Sequence, residues 1–313
     1  MPFHLPPLHS RRDWLKRTAA ATGASLFSHD LLAAPSAESS ETWVLFSDTH
    51  ISEDSALVTR GACMAENLKR CVAQVLKSKE KPFGLMVNGD LAHNEGKPGD
   101  YDAFVGLMQP LREAGLAVHL TLGNHDNRET FAAACTGLDL TLLEEKKPVE
   151  KKHVSSVSSA RMHWVLLDSL DQVNVTPGLL GSAQLGWLDR TLRNLSDKPT
   201  LVMMHHNPSG PINVDGKEIP HLGLQDTDAL YNLLANHKKV KGIVYGHTHN
   251  WSVKKNEKTG LHEINLPPVA YVFGATRPNG WVKASVTDDG IELELRCLNV
   301  AHDDHGKKIA VAW

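Results

Sequence analysis

GIVYGHTHN, residues 242–250, is a short apolar run that stops at a glycine and then offers two histidines one residue apart. In an extended segment, residues two apart face the same side, so His247 and His249 aim their imidazoles together. Neutral imidazole is a common metal ligand, which makes this strand end a candidate site. The pattern recurs upstream. WVLFSDTH (43–50) runs into Asp48 and His50, and FGLMVNGDLAH (83–93) into Asp90 and His93. AVHLTLGNHD (117–126) ends in Asn124, His125 and Asp126, and TLVMMHHNP (200–208) in His205 and His206.

Such apolar, β-rich runs are what buried strands of an α/β sheet look like. Between them, Leu68, Cys71, Val72, Val75 and Leu76 repeat at helical spacing, as do Tyr101, Phe104, Val105 and Met108. SAQLGWLDRTLRNL (182–195) reads as a helix with Ser182 as N-cap and Leu185, Leu188, Leu192 and Leu195 on one side. After His249 the helical signal fades, and WSVKKN, LHEINL, VAYVF and WVKASVTDDGIELELRCL read as strands, with a turn at Asp-Asp-Gly. Residues 146–152, rich in lysine and glutamate, read as a solvated connection. In open α/β sheets ligands gather beyond the carboxyl ends of the strands. Strands that all end in Asp, Asn or His therefore predict one convergent cluster.

The donors are imidazole, carboxylate and one carboxamide, without thiolate, a set suited to Zn, Mn, Fe or Co. Two such ions close together need a bridging anion, which one carboxylate such as Asp90 supplies. A pair about 3.5–4 Å apart binds a phosphoryl group and lowers the pKa of a shared water. A protonated histidine beside the leaving oxygen completes hydrolysis by general acid catalysis.

Composition fits an enzyme of this kind. The chain has 313 residues, 41% hydrophobic and 22% charged, so it can bury a sizeable core. The formal charge of −3, without a long basic run, gives no sign of a nucleic-acid partner. SRRDWLKRTAAATGASLF (10–27) resembles a twin-arginine export signal, with Arg11 and Arg12 before an aromatic residue, although Trp14 stands where phenylalanine is more usual. Its apolar stretch is too short for a membrane span. Residues 1–37 are thus expected to be removed, with cleavage between Ala33 and Ala37. The twin-arginine machinery is then a partner, the location is periplasmic or otherwise extracytoplasmic, and the mature chain has no transmembrane anchor. Losing Arg11, Arg12, Lys16 and Arg17 against Asp13 and Asp30 leaves the remainder more acidic. Export permits disulfides. Cys63 and Cys71, however, fall on an expected helix about 12 Å apart along its axis, beyond disulfide reach. Cys135 and Cys297 are free to pair, although no spacing requires it.

Taken in order, Asp48-Thr49-His50, Gly89-Asp90, Gly123-Asn124-His125-Asp126, the His205 region and Gly246-His247-Thr248-His249 resemble the calcineurin-like metallophosphoesterase superfamily, over about residues 42–300. The resemblance implies an α/β fold, a two-sheet sandwich flanked by helices, as a single domain over 38–313. It further implies two divalent or mixed-valence metal ions at the strand ends. Asp48, His50 and His249 would hold the first ion, and Asn124, His205 and His247 the second, with Asp90 bridging. His206 stays open as an alternative to His205. His125 would protonate the leaving alcohol, and Asn124 and His93 are candidate substrate contacts, His93 equally a loop residue.

Departures narrow the branch. His93 and Asn94 stand where the Ser/Thr protein phosphatases of the superfamily have aspartate and arginine. Purple acid phosphatases lack the first-block histidine, and at the place of His93 they use a tyrosine ligand. The organisation is more similar to the bacterial phosphodiesterases that include the cyclic-nucleotide group, although aspartate is common there at the place of His93. The carboxylate orienting His125 would then come from elsewhere, with Asp126 as the candidate. The expected activity is cleavage of a small phosphoester, a phosphodiester such as a cyclic nucleotide or glycerophosphodiester. The alternatives are a phosphomonoesterase with the same centre and a non-catalytic metal- or phosphate-ligand-binding envelope protein.

Overall fold

The computed structural model describes residues 3–5, 7–8, 40–136, 149–209, 212–214, 217–219 and 222–313. Arg11, Arg12, the expected cleavage site, residues 146–148 and the side chain of Cys135 lie outside the described residues. The strands are β1 Phe3–Leu5, β2 Glu41–Ser47, β3 Val58–Thr59, β4 Ala62–Cys63, β5 Gly84–Asn88, β6 Val118–Thr121, β7 Ser155–Ser158, β8 His163–Leu166 and β9 Thr200–Met203. They continue with β10 Ile212–Val214, β11 Lys217–Ile219, β12 Val240–Tyr245, β13 Ser252–Lys255, β14 His262–Asn265, β15 Gly280–Val286, β16 Gly290–Cys297 and β17 Lys308–Ala312. The helices are α1 Met64–Leu76, α2 Pro98–Glu113, α3 Arg128–Thr136, α4 Ser182–Asn194 and α5 Thr227–Leu234. None of the described helices is long and apolar enough to cross a membrane.

Two sheets carry the fold. One is seven-stranded, in the order β1-β6-β5-β2-β15-β16-β17, and the other six-stranded, in the order β13-β14-β12-β9-β8-β7. Alternation along each strand explains why they stack. Trp43, Leu45 and Met86 from the first sheet meet Trp164, Leu166, Leu201, Met203 and Val244 from the second in one core. Trp43 and Trp164 touch edge to face with ring centroids 5.8 Å apart. The neighbours in sequence point the other way. Val44, Phe46, Leu85 and Val87 pack under Leu68 and Val72 of α1 and Phe104 and Met108 of α2. Val165, Val202 and Ile243 pack under Leu188 and Leu192 of α4 and Leu230 and Leu234 of α5. Strands covered on both faces must be apolar throughout, and this is why they read as unbroken runs. The result is the expected helix–sheet–sheet–helix sandwich.

Parallel pairing positions the site. β2, β5 and β6 run parallel in one sheet, and β8, β9, β12 and β14 in the other. Within each sheet their carboxyl ends therefore open on one edge, where the candidate ligands follow.

Several local expectations are corrected. VAYVF (269–273) is a loop rather than a strand, because Val269 N and Ala270 N donate to the carbonyls of Ser47 and Asp48 instead of joining a ladder. Gly181, with φ 80°, is the N-cap of α4 in place of Ser182, while Asp226 accepts hydrogen bonds from Leu180 N and Gly181 N. Cys63 ends β4 and precedes α1, so it does not share a helix with Cys71; both are free, as is Cys297. Lys152 is not solvated but donates to the carbonyls of Asp168, Leu170 and Leu179. In the full-length chain Phe3–Leu5 pair antiparallel with β6, and Leu5 is buried there. The edge strands β7 and β17 and the short β8 carry too little pattern to stand out in sequence.

Candidate metal centre

Five candidate ligands adopt left-handed backbone: Asp48 (φ 51°), His50 (φ 47°), Asp90 (φ 47°), His247 (φ 66°) and His249 (φ 49°). That region is sparsely populated by residues with a Cβ and persists only where surrounding contacts impose it. Here the loops after β2 and β5 are tied to each other, through His50 N to Asp90 O at 2.8 Å and Ile51 N to Leu91 O at 2.9 Å. Gly246 N donates to His205 O at 3.0 Å, which ties the loop after β12 to the end of β9. The motif glycines leave room for the ligands. A Cβ on Gly246 would overlap Ser47 Oγ and Asp48 Oδ2, and one on Gly123 would overlap Asp90 Oδ1.

The side chains converge in three overlapping groups: Asp48, His50 and His249; His50, Asp90 and His125; Asp90, His205 and His247. Asp90 joins the second and third and lies between His50 Nε2 at 3.5 Å and His205 Nε2 at 3.2 Å. His249 Nε2 stands 3.5 Å from Asp48 Oδ1 and 3.0 Å from His50 Nε2. Outer partners set the rings. The Nδ1 atoms of His50, His205 and His249 donate to the carbonyls of His93, Asn88 and Tyr271 at 3.2, 3.1 and 2.6 Å. Their Nε2 atoms are left for an ion. His247 is reversed, since its Nε2 donates to Leu222 O at 2.8 Å and Nδ1 remains. A carbonyl behind each imidazole is the usual arrangement around a metal ligand.

Asn124 Oδ1 is buried without a hydrogen-bond partner, and His205 Nε2 has only the Asp90 carboxylate, 3.2 Å away. Unsatisfied buried polar atoms are costly, and Asn124 lines the cavity beside Asp90. Electrostatics agrees. Burial opposes charge on Asp90, but the His205 imidazolium beside it outweighs that and holds its pKa well below the usual carboxylate range. Burial alone would depress His205, whereas Asp90 and Asp48 raise it to about 9. Burial, then His205, pushes His247 down to about 4, and burial dominates in keeping His50 neutral. The donor set, its geometry and the orphaned Asn124 Oδ1 fit two divalent ions.

His206 is separate from this group. It is fully buried, Ser169 Oγ holds its Nδ1 at 2.8 Å, and its ring packs 4.8 Å from that of His247. Geometry thus groups His205, not His206, with Asp90 and His247. His125 stands 5.2 Å from His50 between ring centroids, with its own backbone N–H on Asp90 Oδ1 at 2.9 Å. Its Nδ1 donates to Asn94 O at 3.0 Å, so a carbonyl orients the ring. The expectation for Asp126 is corrected: its carboxylate turns away and accepts from Leu91 N, Gly123 N and Tyr101 Oη. His93 also turns outward, with Nε2 3.2 Å from Thr59 Oγ1, and its carbonyl is what reaches the centre.

A cavity of about 440 Å³ opens over the group and is lined by His50, Asp90, Asn124, His125, His247 and His249 on its floor. Tyr271, Phe273 and Leu222 add apolar walls that the sequence did not signal. Tyr271 stacks on His50 at 5.2 Å and 28°, and Phe273 lies 4.5 Å from His249.

Comparison with known proteins agrees with this geometry. A probable cyclic nucleotide phosphodiesterase of Synechococcus sp. is 28% identical over 244 residues, covering 78% of this chain and 86% of its own. A 3',5'-cyclic adenosine monophosphate phosphodiesterase of Pseudomonas aeruginosa is 29% identical over 215 residues, covering 69% and 72%. In fold, the chain resembles a dimetal phosphatase of Danio rerio, with TM-score 0.62 and 17% identity over 87% of this chain and 99% of that one. A purple acid phosphatase of yellow lupin gives TM-score 0.61 at 15% identity, over 88% of this chain and 54% of that one. The calcineurin-like phosphoesterase profile matches residues 42–251, two thirds of the sequence, and the protein is a member of that family.

Proposed function

We propose that the protein is an exported dinuclear metallohydrolase that cleaves phosphodiesters, with cyclic nucleotides as the leading substrates. The observation that carries this reading is the placement of His125. Its Nδ1 is tied to Asn94 O, and it lines the cavity beside His50 and Asp90. A proton-donating group held there serves a leaving alcohol, whereas a protein that only bound metal or phosphate would have no use for it. In this reading Asp48, His50 and His249 hold one ion, Asn124, His205 and His247 the other, and Asp90 both. The ions, when bound, supply an activated water and neutralise charge on the phosphoryl oxygens. The water oxygen bonds to phosphorus, the ester P–O bond breaks with its electron pair on the leaving oxygen, and that oxygen takes the proton from His125. The water's proton passes to solvent.

Charge favours a diester over a monoester. No lysine or arginine is among the described residues lining the cavity, so a dianionic monoester meets no side-chain clamp beyond the ions. The relatives named as cyclic nucleotide phosphodiesterases support the same choice. Protein loaded with Mn or Zn should hydrolyse an aryl phosphodiester faster than the matching monoester; the opposite ranking would assign a phosphomonoesterase. Export rests on Arg11 and Arg12. Changing both to lysine should leave precursor in the cytoplasm, and unaffected export would sink that part of the reading.

A further inference from the structure

The cavity is asymmetric in a way the metal cluster does not require. On the side of His50 and His249 stands an aromatic wall: Tyr271 packs 4.8 Å from His249, and Phe273 lies 5.8 Å from Tyr271. On the side of His247, whose Nε2 donates to Leu222 O, stands Leu222. Phe273 and Leu222 are 51% and 56% exposed although both line the cavity, so two large apolar surfaces at its mouth lack cover among the described residues. Arg60, at the tip of the β3–β4 turn, lays its guanidinium over Phe273 at 5.0 Å and over Tyr271 at 5.8 Å. A cation stacked on a ring fixes the ring's orientation from outside.

His125 lines the same cavity, with its ring 5.2 Å from that of His50. If His125 protonates the leaving oxygen, the sugar that carries this oxygen lies in the cavity walled by Tyr271 and Phe273. We propose that Phe273, braced by Arg60, is a stacking subsite that selects phosphodiesters whose esterified sugar carries a planar heteroaromatic ring of the nucleobase class. This rests on the hydrolase reading above and adds to it which part of the substrate is recognised and by which residues. A planar ring covers the exposed face of the wall, while an aliphatic group of the glycerol kind leaves it wet. Arg60 acts through Phe273 and is a positioning residue.

The experiment compares kcat/KM of the metal-loaded protein for a 3',5'-cyclic nucleotide and for glycerophosphocholine, in wild type and in Phe273→Ala, Phe273→Leu, Arg60→Ala and Arg60→Lys. Wild type should favour the nucleotide at least about tenfold. Phe273→Ala should bring the ratio close to one, chiefly through KM. Phe273→Leu, which keeps apolar bulk and fold but not the ring, should lose most of the preference as well. Arg60→Ala should raise KM for the nucleotide several-fold with kcat within about twofold, and Arg60→Lys should recover part of it. A wild-type preference for glycerophosphocholine, or a ratio unchanged in both Phe273 variants, overturns the subsite. Failure of wild type to hydrolyse either diester overturns instead the hydrolase reading beneath it.

Discussion

His50 Nε2 and His249 Nε2 lie 3.0 Å apart, while each ring's Nδ1 donates to a backbone carbonyl. With each Nδ1 committed to a carbonyl, the two Nε2 atoms face each other in a buried site. Two acceptors at that distance repel unless a proton or a cation sits between their lone pairs and the nearby carboxylates of Asp48 and Asp90. The fold therefore holds the ligands in an arrangement that a divalent ion relieves. Binding to the native state alone stabilises it, by about 2.7 kcal/mol at a hundredfold excess over Kd. Chelator-treated protein should melt several degrees lower and regain its Tm on addition of Mn or Zn. A Tm indifferent to metal would contradict the assignment.

Asp90→Asn should strip metal and activity together. Asp90 Oδ2 stands 3.5 Å from His50 Nε2 and 3.2 Å from His205 Nε2, so one carboxylate serves both halves of the cluster. Metal analysis should find both ions depleted in the variant; a loss of only one would show that Asp90 does not bridge.

His125→Ala should keep both ions and lower kcat by about 10²–10⁴ for esters with poor leaving groups, and less for nitrophenyl esters. The readout is kcat across alcohols of graded pKa. A flat loss across the series would remove the general-acid role.

Metal uptake should strengthen as pH rises from about 6.5 to 9. In the metal-free chain His205 is raised to about 9, so below that pH an incoming ion must displace its proton. The same shift has a consequence for folding. A histidine whose folded pKa is raised above 6.5 stabilises the metal-free protein below pH 6.5, and that contribution fades as pH rises through about 9. Calorimetric titration in buffers of different ionisation enthalpy should show proton release near pH 7 that shrinks as the pH approaches 9.

Removing residues 1–37 takes away β1, whose buried Leu5 stabilises the edge of the first sheet by at most about 1.5–3 kcal/mol. The shortened chain should melt a few degrees lower, with faster amide exchange in β6. Unchanged exchange would show that β1 adds nothing to the sheet.

Much of this protein is legible residue by residue. Runs such as Trp43–Ser47 and Leu201–Met204 are apolar because both faces of their strands are covered, and local composition records that directly. The donors follow the runs because parallel strands open on one edge, so position along the chain already implies convergence in space. What local sequence does not hold is direction. The left-handed turns at Asp48, His50, Asp90, His247 and His249 are imposed by contacts between loops 40 to 199 residues apart, such as His50 N to Asp90 O and His247 N to Asp48 Oδ1. Other contacts between loops turn Asp126 toward the backbone N–H of Leu91 and set Asn94 O behind His125. They also place VAYVF across the cavity as an aromatic wall, although its β-rich composition reads as a strand. Sequence by itself determined the buried strands, the donors and their order, because burial and strand polarity are properties of short segments, while the sandwich followed from the family resemblance of the ordered motifs. Only the tertiary structure decided which nitrogen of each histidine meets the centre and what stands over it, because those depend on carbonyls and rings brought together by distant parts of the chain.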